Sequence, residues 1–322
     1  MTDRLFQDVD SGATCGPAGE RAPFLSVVMP THDRADELDR QLGWLHDELV
    51  ELDVTWEVRI HDNCSSDHTL KVASRWQAEL GPDAVHVSSN ERNIGGMPNL
   101  ALALAGARGR WVWSVGDDDR IYDGACASLV ETLRAQPDLA LVYLSYRGVD
   151  ATTGRVTVEH FFDPAVTGRF EDGRQAFAHH ALRGIGSVIF LTSTVYRGDI
   201  LHAALDAWRD DVENWALVAY WTGYAAARGP IYITPEQWID CTLGASYWQR
   251  EAGAWVKAVH HDIPKVSGGL ALEGYPAEFC SRLGPKVRWL RLPLHLLVAI
   301  RHCRACLRSW PRRRAIRLGC DR

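Results

Sequence analysis

The sequence predicts an α/β domain in which a mainly parallel sheet is sandwiched between helices. Three observations point there. Short apolar runs alternate with amphipathic helical stretches four times between residues 24 and 146. The apolar runs are continuous rather than alternating, as in strands covered on both faces. Each cluster of acidic and amide residues in this half follows such a run, at the strand ends where open α/β sheets bind ligands. With 322 residues, 46% of them hydrophobic, and 13 Trp, the chain has ample material for a sizeable core.

Residues 1–23 contain Gly, Asp and Pro without periodicity and read as a flexible leader. Order begins at "FLSVVMPTHDR", where Phe24 to Met29 form a strand-like run stopped by Pro30. Leu38, Leu42, Leu45 and Leu49 then recur at helical spacing. "TWEVRIHDNCSSDHTLKVASRW" repeats the cycle: a strand over about Thr55 to Ile60, a polar turn, and a helix that Asp67 is placed to cap. "AVHVSSNERNIGGMPNLALALAGARG" repeats it again, with a helix from about Pro98 to Gly106 or Gly109. "RWVWSV" is the fourth strand and breaks at GDDD; a helix from Asp123 to Arg134 leads to a fifth strand, "LALVYLSY". The second half is less regular. "GSVIFLTSTVYRGDIL" reads as a strand leading into a helix, and "ENWALVAYWTGYAAARGPIYIT" as a helix, starting near Asn214, followed by a strand.

Charge and cysteines narrow the function classes. From Lys286 to Arg322 there are 11 Lys or Arg against the single Asp321, a balance of +10 that leaves −16 on residues 1–285 of the net −6. The tail's apolar stretch around Trp289 to Ile300 is too short to span a bilayer. It suits an interfacial helix on anionic lipid, and equally a basic helix packed on the domain. No base-reading module accompanies the arginines, so nucleic acid is set aside as a partner. The beginning of the chain lacks a basic start and apolar middle, which predicts a cytoplasmic protein, with or without contact to the cytoplasmic membrane face. Eight cysteines at irregular spacing argue against a disulfide framework. Cys303 and Cys306 have metal spacing, near His302 and Cys320, but no second pair completes a zinc site.

The acidic burst in "WVWSVGDDDR" carries the strongest chemical signal. Adjacent carboxylates raise one another's pKa unless a cation or hydrogen-bond donors hold them ionised, so something positive is expected beside Asp117, Asp118 and Asp119. A helix cap needs one carboxylate; Mg2+ or Mn2+ uses one or two and completes its shell with water and phosphate oxygens. Strand alternation puts Asp117 and Asp119 on one side and Asp118 on the other. Asp62 and Asn63 after the second strand form either a plain turn or a reader of a nucleotide's base and ribose. Arg92 and Asn93, beside Gly95, form either a plain loop or a site where a cation and close backbone approach suit a diphosphate.

Taken together, "LSVVMPTHDR", "IHDNCSSDHT", "NERNIGGMPNLALALAGARGRWVWSVGDDD" and "LVYLSY" resemble, in order and spacing, the nucleotide-binding half of family 2 glycosyltransferases of the GT-A fold. The resemblance covers residues 24–146 and fades by about residue 235. It implies inverting transfer of a sugar from a nucleotide diphosphate sugar to an acceptor hydroxyl on a lipid-linked saccharide or a secondary-metabolite aglycone. It further implies that Pro30, Thr31 and Asp33 line the nucleotide pocket, that Asp62 contacts the base, and that Asp117 and Asp119 serve ribose and metal, with Asp119 the first choice for Mg2+ or Mn2+. The family's base sits before a late helix, where this chain has "RDDVEN"; Asp211 is the first choice and Glu213 the next. The bland alternative is that both acids favour the positive end of that helix. His260 and His261 suit either a metal ligand or solvated surface, and Trp215, Trp221, Trp238, Trp248 and Trp255 either stack on sugars or fill the core. The implied layout is a leader (1–23), a nucleotide-sugar half (24–146), an acceptor half (147–264) and a basic helical extension (265–322). Two rivals use similar residues: a sugar nucleotidyltransferase, which needs a Gly-rich basic loop where this chain has "PTHDRADE", and a nucleotide-sugar-binding protein without a base.

Overall fold

The computed structural model describes residues 22–208, 211–244 and 254–283. Most of the leader, Trp248, the Cys303 and Cys306 pair and the basic run from Lys286 lie outside the described residues.

The first half alternates as its sequence predicts. It runs β1 (Leu25–Thr31), α1 (Ala35–Val50), β2 (Trp56–Asp62), α2 (Thr69–Leu80), β3 (Val85–Ser89), α3 (Gly96–Ala105) and β4 (Trp111–Ser114). A short β5 (Arg120–Ile121), α4 (Ala125–Ala135) and β6 (Leu141–Asp150) follow. Leu38, Leu42, Leu45 and Leu49 line the buried face of α1, each such leucine contributing about 1.5–3 kcal/mol by leaving water. Pro30 does not stop the first strand. Val28 faces β4, which ends opposite it, so Pro30, two residues on, points its missing donor where no partner strand remains. Likewise Pro98 sits inside the first turn of α3, where no intrahelical donor is required.

Beyond β6 come β7 (Val156–Val158), β8 (Gly168–Phe170), α5 (Gly173–Arg183), α6 (Gly186–Ile189), a 3-10 turn (Leu191–Ser193) and β9 (Thr194–Arg197). Then follow α7 (Gly198–Ala207), α8 (Leu217–Ala226), β10 (Ile231–Leu243), α9 (Ala254–Lys257), a π-helical turn (Ala258–Asp262), α10 (Ile263–Leu272) and α11 (Ala277–Arg282). The stretch expected as one strand is therefore a short helix, a turn and a four-residue strand.

Among the described residues the sheet order is β3-β2-β1-β4-β9-β6-β10-β5, with β7 on β6 and β8 on β10. The β3-β2-β1-β4 block is parallel, as is β6 with β10. Between these blocks β9 pairs antiparallel with both β4 and β6, a departure from simple alternation. The turn before β9 is fixed from β4, since Trp113 Nε1 donates to the Thr192 carbonyl at 2.8 Å and Ser114 Oγ to the Leu191 carbonyl at 2.7 Å. Trp111, Trp113, Tyr143, Tyr196, Phe177 and Trp221 fill the core. Val266, Leu270, Tyr275 and Phe279 belong to the same core, and Tyr275 Oη donates to the Gly223 carbonyl at 2.8 Å. Residues 265–283 thus pack with the domain, and the boundary expected at residue 264 runs through a packed layer.

Candidate active site

Three loops at the carboxyl edge are knitted together by side chains. Asp33, at a left-handed φ of 50°, accepts from the Ser66 amide at 2.7 Å, and its own amide donates to Ser65 Oγ at 2.9 Å. Asp tolerates this conformation better than most residues. Asp62 is buried at the end of β2, accepting from the Ser65 amide at 3.0 Å, from Ser89 Oγ at 2.8 Å and from Ser65 Oγ. Asn63 Oδ1 accepts from Asn90 Nδ2 and from the Ile94 amide, each at 3.0 Å, while Asn63 Nδ2 donates to Asn93 Oδ1 at 2.9 Å. Asn93 also accepts from the Gly95 amide and contacts His32 Nε2, both at 2.9 Å. Arg92 is exposed on the same loop. The post-β1, post-β2 and post-β3 loops therefore form one rigid rim, and Pro30, Thr31, Asp33, Asp62, Asn63, Asn93 and Gly95 all lie on it.

Next along that edge is the acidic corner. Thr31 Oγ1 donates to Asp117 Oδ2 at 2.8 Å, tying β1 to the loop after β4. The expected positive group is Arg34: its Nη1 is 2.8 Å from Asp118 Oδ2 and 3.8 Å from Asp117 Oδ1. Asp117 and Asp119 are buried and Asp118 is partly exposed, the alternation the spacing predicts. Asp119 meets the Thr192 hydroxyl, which in turn accepts from the Gly116 amide at 2.9 Å. The Thr242 amide on β10 also donates to Asp119. Burial first, and then the charge of Asp118, pushes Asp117 up to about 6 and Asp119 up to about 8. None of the three caps a helix: the N-terminal amides of α4, Gly124 and Cys126, donate to Glu48 at 2.7 and 3.1 Å.

Across the edge lies the turn before α8. The chain leaves α8 at Ala226 and enters β10 at Ile231, which pairs with the first residue of β6, so the start of α8 lies at the carboxyl edge. Regular helix begins at Leu217, not near Asn214. Asn214 is fully buried and its Oδ1 accepts from the Ala216 amide at 2.9 Å. Asp211 Oδ2 accepts from Lys265 Nζ at 2.8 Å. Glu213 is exposed, and its side chain makes no hydrogen bond or ion pair to the described residues. His260 and His261 are exposed; His261 Nδ1 lies 3.0 Å from Asp262 Oδ1. Trp221 is core, and Trp215 and Trp238 are partly buried.

Residues 26–201 match the model of glycosyl transferase family 2. The chain belongs to this family. Its curated relatives are named for O-antigen and teichuronic acid biosynthesis, the latter as a putative glycosyltransferase. The O-antigen biosynthesis protein RfbC of Myxococcus xanthus is 27% identical over 144 residues, 45% of this chain and 11% of that protein. The putative teichuronic acid biosynthesis glycosyltransferase TuaG of Bacillus subtilis is 30% identical over 98 residues, 30% of this chain and 37% of that protein. The chain thus matches about a tenth of the length of the first relative and little more than a third of the second. Among solved structures, S. aureus TarS 1-349 in complex with UDP-GlcNAc superposes with a TM-score of 0.56 at 19% identity, over 80% of this chain and 72% of that one. The mannosyltransferase PcManGT from Pyrobaculum calidifontis, in complex with GDP-Man and Mn2+, gives 0.55 at 15% identity over 96% and 82%. Likeness at these identities establishes the GT-A fold.

Several residues of the candidate site escape a reading by motif. Thr192 holds Asp119 from 73 residues away, and nothing in "FLTST" marks that hydroxyl. Arg147 Nε donates to Asp240 Oδ1 at 2.6 Å, and Tyr122 Oη donates to the same oxygen at 2.7 Å. Asp240 pairs in register with Arg120, the residue after Asp119, so this network borders the acidic corner. Arg34, by contrast, stands in the first motif and the expected cation could have been assigned to it.

Proposed function

We propose that this glycosyltransferase moves a sugar from a nucleoside diphosphate to an acceptor hydroxyl with inversion at the anomeric carbon, assisted by Mg2+ or Mn2+. One observation supports this above the others: Asp117 and Asp119 are buried after β4 at the carboxyl edge and short of positive charge, with Asp117 tied to β1 through Thr31. Arg34 lies against Asp118 and reaches Asp117 only at 3.8 Å, while Asp119 has a hydroxyl and an amide for partners. Hard carboxylate oxygens that lack a counter-charge fit a divalent cation. Among the described residues no three His, Cys, Asp or Glu side chains converge to cage a metal alone. That agrees with an ion whose shell is finished by water and phosphate oxygens. When bound, such an ion acts as a Lewis acid that offsets charge on the departing diphosphate.

The chain's own groups do the rest. Asp119 and Asp117 would hold the ion, with Thr192 and Thr31 orienting them, and Asp118 is set by Arg34. Pro30, Thr31 and Asp33 line the nucleotide pocket. Asp62, whose oxygens are partly filled by Ser65 and Ser89, closes the base side together with Asn63. Arg92, Asn93 and Gly95 face the diphosphate. Glu213 takes the proton from the acceptor hydroxyl, because its carboxylate has no partner among the described residues whereas Asp211 is committed to Lys265. The names of the relatives, O-antigen and teichuronic acid biosynthesis, favour a saccharide over an aglycone as acceptor.

The test is a panel of UDP- and GDP-sugars incubated with the protein and Mn2+, with nucleoside diphosphate release as the readout. Asp119→Asn should abolish Mn2+-dependent nucleotide binding while the fold persists; undiminished affinity contradicts the metal role. Glu213→Gln should lower the rate by about 10²- to 10⁴-fold with donor binding retained. If Asp211→Asn does so and Glu213→Gln does not, the proton acceptor is Asp211.

A further inference from the structure

We propose that Asp262 is a positioning residue for transfer: together with Lys257 it fixes the turn that presents the proton acceptor, an inference that rests on the acceptor lying in that turn. Asp262 is fully buried and ends the π-helical turn that leads into α10. Its Oδ2 accepts from the Trp215 amide at 3.2 Å and from Lys257 Nζ at 3.2 Å. Its Oδ1 lies 3.1 Å from Lys257 Nζ and 3.0 Å from His261 Nδ1. Its carbonyl accepts from Asn214 Nδ2 at 3.1 Å. Lys257 Nζ also donates to the Glu213 carbonyl at 3.0 Å, and Lys265 Nζ to Asp211 Oδ2 at 2.8 Å. The backbone or side chain of Asp211, Glu213, Asn214 and Trp215 is therefore gripped from residues 257–265.

Charge is the telling feature. Capping one amide needs only a neutral acceptor such as Asn or Ser, and Asn214 already supplies such a cap to Ala216. Burying a carboxylate costs several kcal/mol unless it is paired and hydrogen-bonded. Here the pair is complete: Asp262 is satisfied by an ammonium, an imidazole nitrogen and an amide, and its cation reaches on to the main chain of Glu213. π-Helical turns are rare and concentrate at functional sites. This one delivers both the Asp262 carboxylate and the Asp262 carbonyl to the same turn. A general base displaced by about 1 Å loses rate steeply, so a turn held from a second helical segment keeps Glu213 in place while the donor loops stay independent of it.

Asp262→Asn retains the volume and an acceptor for Trp215 but gives up the ionic hold on Lys257; Lys257→Met removes the cation. Both should lower kcat for nucleoside diphosphate release by about tenfold or more. Calorimetric affinity for UDP and GDP with Mn2+ should stay within about twofold, and Lys257→Arg should restore kcat. Amide exchange at residues 211–217 should accelerate in both variants, and exchange in the donor loops should not. Tyr275→Phe removes a hydrogen bond to the far half of α8 and serves as the control: it should lower Tm and leave kcat intact. The proposal is overturned if Asp262→Asn costs Tm but not kcat, or if kcat falls only in proportion to Tm, as Tyr275→Phe defines. Full kcat in both Asp211→Asn and Glu213→Gln would instead overturn the assignment of the acceptor. Slowed turnover of Asp262→Asn against that background would place its effect outside the turn and overturn the positioning role as well.

Discussion

Adding one methyl group at Gly116 should disable the acidic corner while leaving the rest of the protein standing. A Cβ there would lie 2.7 Å from Asp119 Oδ2 and 3.2 Å from Thr192 Oγ1, against an ordinary contact of 3.4–4 Å. Gly116 is not among the glycines with positive φ, so alanine fits its backbone and only the clash acts. Asp119 cannot swing clear, because it is buried and bonded to the Thr192 hydroxyl and the Thr242 amide. Its carboxylate must retreat by about 0.7 Å to reach ordinary contact, several times the roughly 0.2 Å tolerance of a metal–ligand distance. Overpacking of this kind costs about 1–3 kcal/mol of stability. Losing a well-placed carboxylate ligand should weaken Mn2+-dependent nucleotide binding by tenfold or more, about 1.4 kcal/mol. Calorimetric titration of Gly116→Ala with UDP and GDP, with and without Mn2+, reads the second effect; thermal unfolding reads the first. Affinity with Mn2+ within twofold of the wild type, in a variant whose Tm has fallen, would refute Asp119 as a ligand.

Two further outcomes follow from the same geometry. Asp117 and Asp119 are pushed up to about 6 and about 8, so in the metal-free protein they hold protons that the unfolded chain loses near pH 4. Their contribution to metal-free stability is therefore present at low pH and is lost as pH rises through 6 to 8, whereas Mn2+ affinity with nucleotide present rises over that window. A flat affinity between pH 5.5 and 8.5 would rule this out. Separately, Glu48→Ala should cost about 1–2 kcal/mol in a urea titration, because it strips the cap from the Gly124 and Cys126 amides of α4; a change below about 0.5 kcal/mol would show that water replaces the cap.

How much was legible beforehand depended on the range of each signal. The four strand–loop–helix cycles, the leucine face of α1 and the polar clusters at strand ends are written in local periodicity and turn chemistry, which the burial of residues 25–146 reproduces. Asp117 and Asp119 are buried and Asp118 partly exposed, the alternation read from the sequence, although β4 ends at Ser114 and the chain bends at residues 117–118. Local signals failed where a distant partner decided the outcome. Pro30 reads as a strand end until the length of β4 is known, and the cap of α4 comes from Glu48, 76 residues before Gly124. The grip on the turn before α8 comes from Lys257, Asp262 and Lys265, which lie more than 40 residues further along the chain and carry no local sign of that role.

By itself, then, the sequence determined the layered α/β class and the family's motifs, because each of these is set by residues within a few positions of one another. Tertiary structure alone decided that β9 enters between β4 and β6, that Thr192 holds Asp119, and that Asp211 is tied to Lys265 while the Glu213 side chain has no partner among the described residues. These pairings join groups up to 86 residues apart. Which hydroxyl, guanidinium or ammonium reaches a given carboxylate depends on how strands are ordered in space, and no local repeat encodes that order.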